Sequence, residues 1–255
     1  MWTVSLGGKW QLRIDDIDPP RAMHGAVESI TRCLQAHGLH PDGQIHYQSN
    51  HHLRYDDALK KLHEQGDIFH CICTRATLSP DGSCREGCAH VDHAKTMGTS
   101  LRVKVPEDTI IEVDDGLLGH MVWPLGEEMG NFIVRRRDGL YAYQLAAAVD
   151  DALPNVTQVI RGRDLLDSTP RQIFLQQRLG LKSPQYGHLP VLTDDRGFKL
   201  SKQTGAPALD INQPLENLRA ALAALDQPNP PSHCASATEL LAWSLAHWDV
   251  RRVPR

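Results

Sequence analysis

No stretch of about 18 consecutive apolar residues occurs in the chain, so no membrane-spanning helix is expected. The first residues, Met1-Trp2-Thr3-Val4-Ser5-Leu6-Gly7-Gly8-Lys9, lack a basic region followed by a long apolar run. A secretory signal peptide is therefore not predicted, and the expected location is the cytoplasm. There is no excess of positive charge: 27 Lys and Arg stand against 31 Asp and Glu, a formal net charge of −4. A nucleic-acid partner would have to meet a local basic face rather than a global field. Internal repeats, a Walker-type phosphate loop and a Ser/His/Asp nucleophile arrangement are also missing. The fourteen histidines are mostly scattered. With 255 residues, 41% of them hydrophobic, the chain can bury one large core or two modest ones.

The pattern along the chain predicts an α/β architecture. Gln11-Leu12-Arg13-Ile14 reads as a short strand that ends in an acidic turn and the paired Pro19-Pro20. Residues 26–36 have helical periodicity with Gly38 as a cap, and residues 55–65 repeat it before Gly66. Strands are predicted at 68–73, 101–105, 132–134, 156–162 and 189–192, and a helix at 143–149. Two helical stretches, 214–225 and 237–248, flank a proline-rich linker at 227–231. Between residues 71 and 130 prolines, glycines and short strand-like runs dominate, which suggests an insertion. The expected organisation is thus 1–70 with 131–205 as a split layered domain, 71–130 as the insertion and 206–255 as a helical C-terminal region.

Five constellations could carry chemistry. Four of the six cysteines, Cys71, Cys73, Cys84 and Cys88, lie within 18 residues. In a reducing compartment such a cluster favours a tetrahedral thiolate site for zinc over disulfides. A closed set of four would be structural; His70, His90 and His93 are close enough in sequence to replace one thiolate. Asp15, Asp16 and Asp18 follow a strand, where a carboxylate can bind an ammonium group or simply form a solvated turn. Arg135-Arg136-Arg137 could contact phosphates, although strand alternation would split them between two faces. Arg161 ends a predicted buried strand beside Gly162, well placed to take a carboxylate bidentately. Lys199-Leu200-Ser201-Lys202-Gln203 follows a glycine turn. It can set two ammonium groups and a hydroxyl around a polyphosphate, or be an exposed basic loop.

The ordered set LRIDDIDPPR (12–21), CICTRATL (71–78), RRRDGLYAYQLAAAVDD (135–151), VTQVIRGRDLLDSTPRQIFLQQRLGL (156–181), HLPVL (188–192) and KLSKQTGAPAL (199–209) resembles the glutamyl-Q-tRNA(Asp) synthetases. These are short relatives of glutamyl-tRNA synthetase in class I. The resemblance covers nearly the whole chain. It implies a Rossmann-like class I aminoacyl-tRNA synthetase catalytic domain with a zinc-bearing insertion and no anticodon-binding domain. The implied chemistry is activation of L-glutamate with ATP and Mg, then transfer to queuosine in the anticodon of tRNA(Asp). By the same resemblance Asp15 would hold the glutamate ammonium, with Tyr143 and Arg161 completing the amino-acid site. Lys199, Ser201 and Lys202 would form the KMSKS-type catalytic loop, with Lys202 on ATP. Cys71, Cys73 and Cys84 match zinc ligands, and Cys88 would supply a fourth thiolate where the family often uses tyrosine, at a position occupied here by Pro80. Asp15 stands where glutamate is usual.

No HIGH-type segment precedes Lys9, so the resemblance implies that the family's first strand is missing. The natural protein is then expected to start upstream, and the 255 residues alone to activate glutamate weakly or not at all. A fragment of a conventional glutamyl-tRNA synthetase is the rival among enzymes. A catalytically incomplete tRNA- or zinc-binding remnant is the rival outside them. A monomer is expected.

Overall fold

The computed structural model describes residues 1–74, 76–78, 84, 88, 98–194, 196–200 and 208–255. Its elements in chain order are α1 (Trp2–Ser5), β1 (Arg13–Ile14), α2 (Ala26–Ala36), β2 (His46–Tyr47), α3 (His52–Glu64), β3 (Ile68–Cys71), β4 (Ser100–Val103), β5 (Ile111–Asp115), β6 (Gly119–Trp123), α4 (Leu125–Glu128), β7 (Phe132–Arg135), α5 (Tyr143–Asp151), β8 (Gln158–Gly162), α6 (Thr169–Leu179), β9 (Gln185–Leu189), α7 (Pro214–Ala224) and α8 (Ala237–Ala246). They divide into two compact units. One holds Met1–Tyr47, Ile160–Asp164 and His188–Arg255; the other holds Gln48–Val159 and Leu165–Gly187.

In the first unit, β1 and β2 pair in parallel with Arg13 opposite His46. A parallel pair needs a crossover, and α2 supplies it. Gly38 follows α2 at φ +68°, a left-handed value that a side chain would strain, and so it ends the helix where the sequence pattern placed the stop. The C-terminal helices α7 and α8 pack through Leu218, Leu222 and Leu240 against Cys234. Buried His37 joins α2 to this region: its Nδ1 lies 2.7 Å from the Cys33 carbonyl, which can only accept, and its Nε2 lies 2.9 Å from Asn217 Nδ2, which can only donate. That places the ring proton on Nδ1.

In the second unit, α5 packs between α3 and α6. Ala146, Ala147 and Ala148 are fully buried, so α5 can lie close to its neighbours without large side chains. The antiparallel sheet β3-β4-β7 carries Phe132, whose ring meets Phe174 of α6 edge-on at 6.4 Å. β5 and β6 form a hairpin in which Ile111, Val113 and Asp115 face inward. Asp115 Oδ1 accepts from the backbone N–H of Leu117 and of Leu118, both at 2.9 Å, and this sets the turn.

The main polar knot of this core is Asp150. Its Oδ2 accepts from Tyr55 OH at 2.7 Å and from Gln48 Nε2 at 2.9 Å, with all three side chains buried. A buried carboxylate that loses one of two donors recovers nothing from water. Tyr55→Phe is therefore expected to destabilise the chain by about 2 kcal/mol. Denaturant unfolding would show a lower midpoint at unchanged slope; an unaltered midpoint would refute the assignment of this hydrogen bond.

Candidate active site and metal centre

Four thiols meet in the second unit. The Sγ atoms of Cys71, Cys73, Cys84 and Cys88 all lie within 4.8 Å of one another. Cys73 Sγ is 3.6 Å from that of Cys84 and 3.5 Å from that of Cys88. These separations are far too long for disulfides. They are close to the sulfur–sulfur edge of about 3.8 Å in a tetrahedron with metal–sulfur bonds of about 2.3 Å. Cys71 ends β3, and Phe69 and Leu78 pack against the cluster.

Burial pushes the Cys84 thiol up, and shared protons with Cys73 and Cys71 push it further. Burial also raises Cys73, with Cys88 contributing. Cys71 moves the other way: burial opposes ionisation, but hydrogen bonds from Cys73 and Cys84 and the positive field of Arg102 outweigh it. Four sulfurs this close cannot all carry charge unless a cation sits among them, and the donor set is the one zinc prefers. The residues present therefore fit a structural zinc. Of the alternative ligands, His70 instead bonds Thr99 Oγ1 at 2.8 Å, and His90, His93 and Pro80 lie outside the described residues.

Arg161, the penultimate residue of β8, belongs to the first unit. Its Nε donates to Nε2 of His188 at 3.1 Å. His188 is fully buried on β9, the strand hydrogen-bonded to β8. An Nε2 that accepts must leave the ring proton on Nδ1, so His188 holds the arginine as a neutral imidazole. Gly162 follows for a steric reason: a Cβ there would collide with the Asp164 carboxylate, which folds back over it. Asp164 in turn forms an ion pair with Lys199 Nζ. Lys199 stands on a hairpin closed by its bridge to Thr193 and by the Leu200-to-Leu192 backbone bond of 2.8 Å. One short run, Arg161 to Asp164, thus carries both Arg161 and the carboxylate that holds Lys199.

The remaining candidates divide as follows. Asp15 also falls in the first unit, directly after β1, and its carboxylate is gripped by Arg13, with Nε to Oδ1 at 2.6 Å and Nη2 to Oδ2 at 3.4 Å. Tyr143 is the first residue of α5, in the second unit. Ser201 and Lys202 lie outside the described residues. The three consecutive arginines are each engaged locally. Arg135 donates to the Gly139 carbonyl at 3.1 Å and lies over the Tyr141 ring; Arg136 pairs with Asp138 at 2.6 Å; Arg137 donates to the Ile72 carbonyl at 2.8 Å. In this arrangement the side chains of the run shape a turn and reach the cysteine segment.

Sequence reasoning missed His188 and Asp164. His188 stood inside a quoted motif but had no assigned task, because a lone histidine on a strand carries no signal of its partner. Asp164 likewise stood inside a quoted motif without an assigned task.

Residues 1–223 match the family described as tRNA synthetases class I (E and Q), catalytic domain. The glutamyl-Q tRNA(Asp) synthetase of Methylococcus capsulatus is 47% identical over 251 residues, covering 97% of this chain and 83% of that protein. That of Pseudomonas fluorescens is 43% identical over 254 residues, covering 98% and 84%. That of Neisseria gonorrhoeae is 43% identical over 261 residues, covering 98% and 88%. Among solved structures, the glutamate-tRNA synthetase of Elizabethkingia anophelis superposes with a TM-score of 0.76 at 20% identity, covering 98% of this chain and 60% of that one. A glutamate tRNA ligase from Elizabethkingia meningosepticum, solved with its amino acid, gives 0.74 at 20% identity with the same coverage. The chain thus spans about three fifths of those two proteins, and the likeness establishes the class I catalytic fold. With family match, sequence identity and fold in agreement, the chain belongs to the glutamyl-Q tRNA(Asp) synthetases, ligases of the class I (E and Q) tRNA synthetase family.

Proposed function

We propose that this chain activates L-glutamate with ATP and Mg and transfers it to queuosine in the anticodon of tRNA(Asp). The observation that carries the reading is Arg161, a half-buried guanidinium fixed by neutral His188 and separated by Gly162 from the carboxylate that holds Lys199. In this reading the Arg161 fork takes the side-chain carboxylate of glutamate, and the Tyr143 hydroxyl adds a hydrogen bond. Asp15 accepts from the substrate ammonium, exchanging the Arg13 contact for it. Lys199 and Lys202 stabilise charge on the polyphosphate as the glutamate carboxylate attacks the α-phosphorus, with Ser201 between them. The thiolates of Cys71, Cys73, Cys84 and Cys88 hold one zinc, which supplies a rigid cross-link and no chemistry of its own. The insertion 71–130 is its carrier, set into the split domain 1–70 with 131–205 and followed by the helical region 206–255. The chain acts as a monomer in the cytoplasm.

Two measurements test this function. Glutamate-dependent ATP–pyrophosphate exchange is measured on the purified chain. Labelled glutamate transfer is then compared on tRNA(Asp) with and without queuosine. The expected result is glutamate-dependent exchange, with transfer only to the queuosine-bearing tRNA. Absence of exchange, or transfer independent of queuosine, would sink the proposal.

A further inference from the structure

The run Arg161-Gly162-Arg163-Asp164 leaves β8 at Gly162 and enters a 3-10 turn at Arg163. Residues 160–164 share one compact unit with residues 188–255, which include the hairpin of Lys199. Asp164 is engaged at both carboxylate oxygens. Its Oδ2 accepts from the Lys199 ammonium. Its Oδ1 lies over Gly162, in the space that a Cβ of that residue would need. The side chains of Lys199 and Asp164 are 51% and 31% exposed, so the ammonium is open to a polyphosphate arriving from solvent. An ammonium has several N–H donors, and a contact with Asp164 leaves donors for a phosphate oxygen.

During activation an oxygen of the glutamate α-carboxylate bonds to the α-phosphorus of ATP. The bond from that phosphorus to the bridging oxygen breaks, and pyrophosphate leaves with the electron pair. Negative charge therefore grows on the leaving group. A cation stabilises it best when it already stands in place and need not reorganise. A lysine ammonium on its long flexible stem has no fixed place of its own. The contact with Asp164 gives it one.

We propose that Asp164 is a positioning residue for Lys199. It holds the ammonium where charge develops on the leaving pyrophosphate, and it does so from the same short run that presents Arg161. The proposal rests on the glutamate-activation reading above. It has a consequence with a definite sign. The Asp164 carboxylate is itself an anion beside the polyphosphate, and so it opposes ATP in the ground state. Neutralising it removes that repulsion and also the aim of Lys199. The rate constant kcat then falls while KM for ATP does not rise. A general loosening of the site would raise KM instead.

The test is glutamate-dependent ATP–pyrophosphate exchange on the full chain, with ATP and glutamate varied in turn. Asp164→Asn, which keeps the shape of the side chain, is expected to lower kcat by about tenfold without raising KM for ATP. This is less than the roughly hundredfold that a misplacement of about 1 Å can cost, because the hairpin also holds Lys199. Asp164→Glu, which keeps the charge, should recover most of the loss. The deciding comparison is made in Lys199→Met: if Asp164 acts through Lys199, adding Asp164→Asn to that variant costs nothing further. Gly162→Ala leaves the carboxylate in the chain but displaces it, since the new Cβ meets the far end of the Asp164 side chain. It should lower kcat in the same way, again with no added loss in Lys199→Met, and it decides the matter if Asp164→Asn does not fold. With an active parent and an impaired Lys199→Met, the proposal alone is overturned by Asp164→Asn at parental kcat, by a rise in KM for ATP at unchanged kcat, or by losses that add. Lys199→Met at parental activity overturns the role of that lysine and this proposal with it. A parent without exchange overturns the glutamate-activation reading as well.

Discussion

Arg161→Leu is expected to cut glutamate-dependent ATP–pyrophosphate exchange by on the order of a hundredfold in kcat/KM. The magnitude follows from what the fork supplies. Each hydrogen bond from a guanidinium to a carboxylate is worth about 1.5–3 kcal/mol, and two parallel prongs give about 3 kcal/mol or more. The glutamate side chain lies away from the reacting carboxyl, so this energy is spent mainly on ground-state binding, and the loss should appear in KM more than in kcat. Arg161→Lys should restore only a small part, because a point ammonium cannot reproduce the planar fork. His188→Phe should act in the same direction but more weakly, by about tenfold, since it leaves the guanidinium present and removes the acceptor that aims Nε. Steady-state exchange kinetics at varied glutamate separate these cases. An Arg161→Leu enzyme within threefold of the parent would show that the arginine does not hold the substrate carboxylate.

These expectations also mark what was legible in the sequence. The strand carrying Arg161 was predicted at 156–162 and is observed at Gln158–Gly162, because the β-branched Val156, Thr157, Val159 and Ile160 form a short run between Pro154 and Gly162. Helices α2, α3, α5, α7 and α8 were likewise readable, through their apolar spacing and terminal glycine or proline signals. α6 was not predicted as a helix. Its inward face carries Gln172 and Gln176 as well as Ile173, Phe174, Leu175 and Leu179, so the usual contrast between a polar and an apolar face is blurred. Those glutamines are spent on core hydrogen bonds, Gln176 Nε2 with the Ala148 carbonyl at 3.1 Å and Tyr186 OH at 3.2 Å. No local rule announces such partners. The predicted strand at 189–192 is displaced to Gln185–Leu189, since Pro190 cannot continue a hydrogen-bonded ladder. The hairpin β5–β6 was hidden by its composition, since Asp114 and His120 occupy the exposed positions of very short strands.

The candidate site was legible in its residue types and not in its connections. The sequence pointed to Arg161 and Lys199 as separate motifs 38 positions apart. Only folding shows that Asp164 receives Lys199 and that Gly162 is small because Asp164 lies over it. The same holds for the arginine run: its charge suggested an anion, whereas chain geometry turns Arg137 towards two backbone carbonyls.

Removing the metal is the second large effect expected. Chelation, or Cys73→Ala, should release the segment between Cys73 and Cys88 while leaving the packed helices α3, α5 and α6 in place. Cys73 is the informative choice because its sulfur lies beside those of both Cys84 and Cys88, so its loss removes the contact that joins the first cysteine pair to the second. Isolated zinc modules derive about 10–16 kcal/mol of folding energy from the metal. Here Phe69, Leu78 and the sheet share the load, so a smaller net loss of a few kcal/mol is expected, lowering Tm by on the order of 10 °C. Arg75 and Arg85 lie between the cysteines and provide tryptic reporters inside the released segment. Their cleavage should accelerate on chelation and slow again when zinc is restored. Acidification should mimic the chelator, because the ligands bind as thiolates and protons compete for them as pH falls. If Tm and the rates of cleavage at Arg75 and Arg85 are the same with and without chelator, the four thiols do not hold a structural metal, and the fold of this segment rests on packing alone.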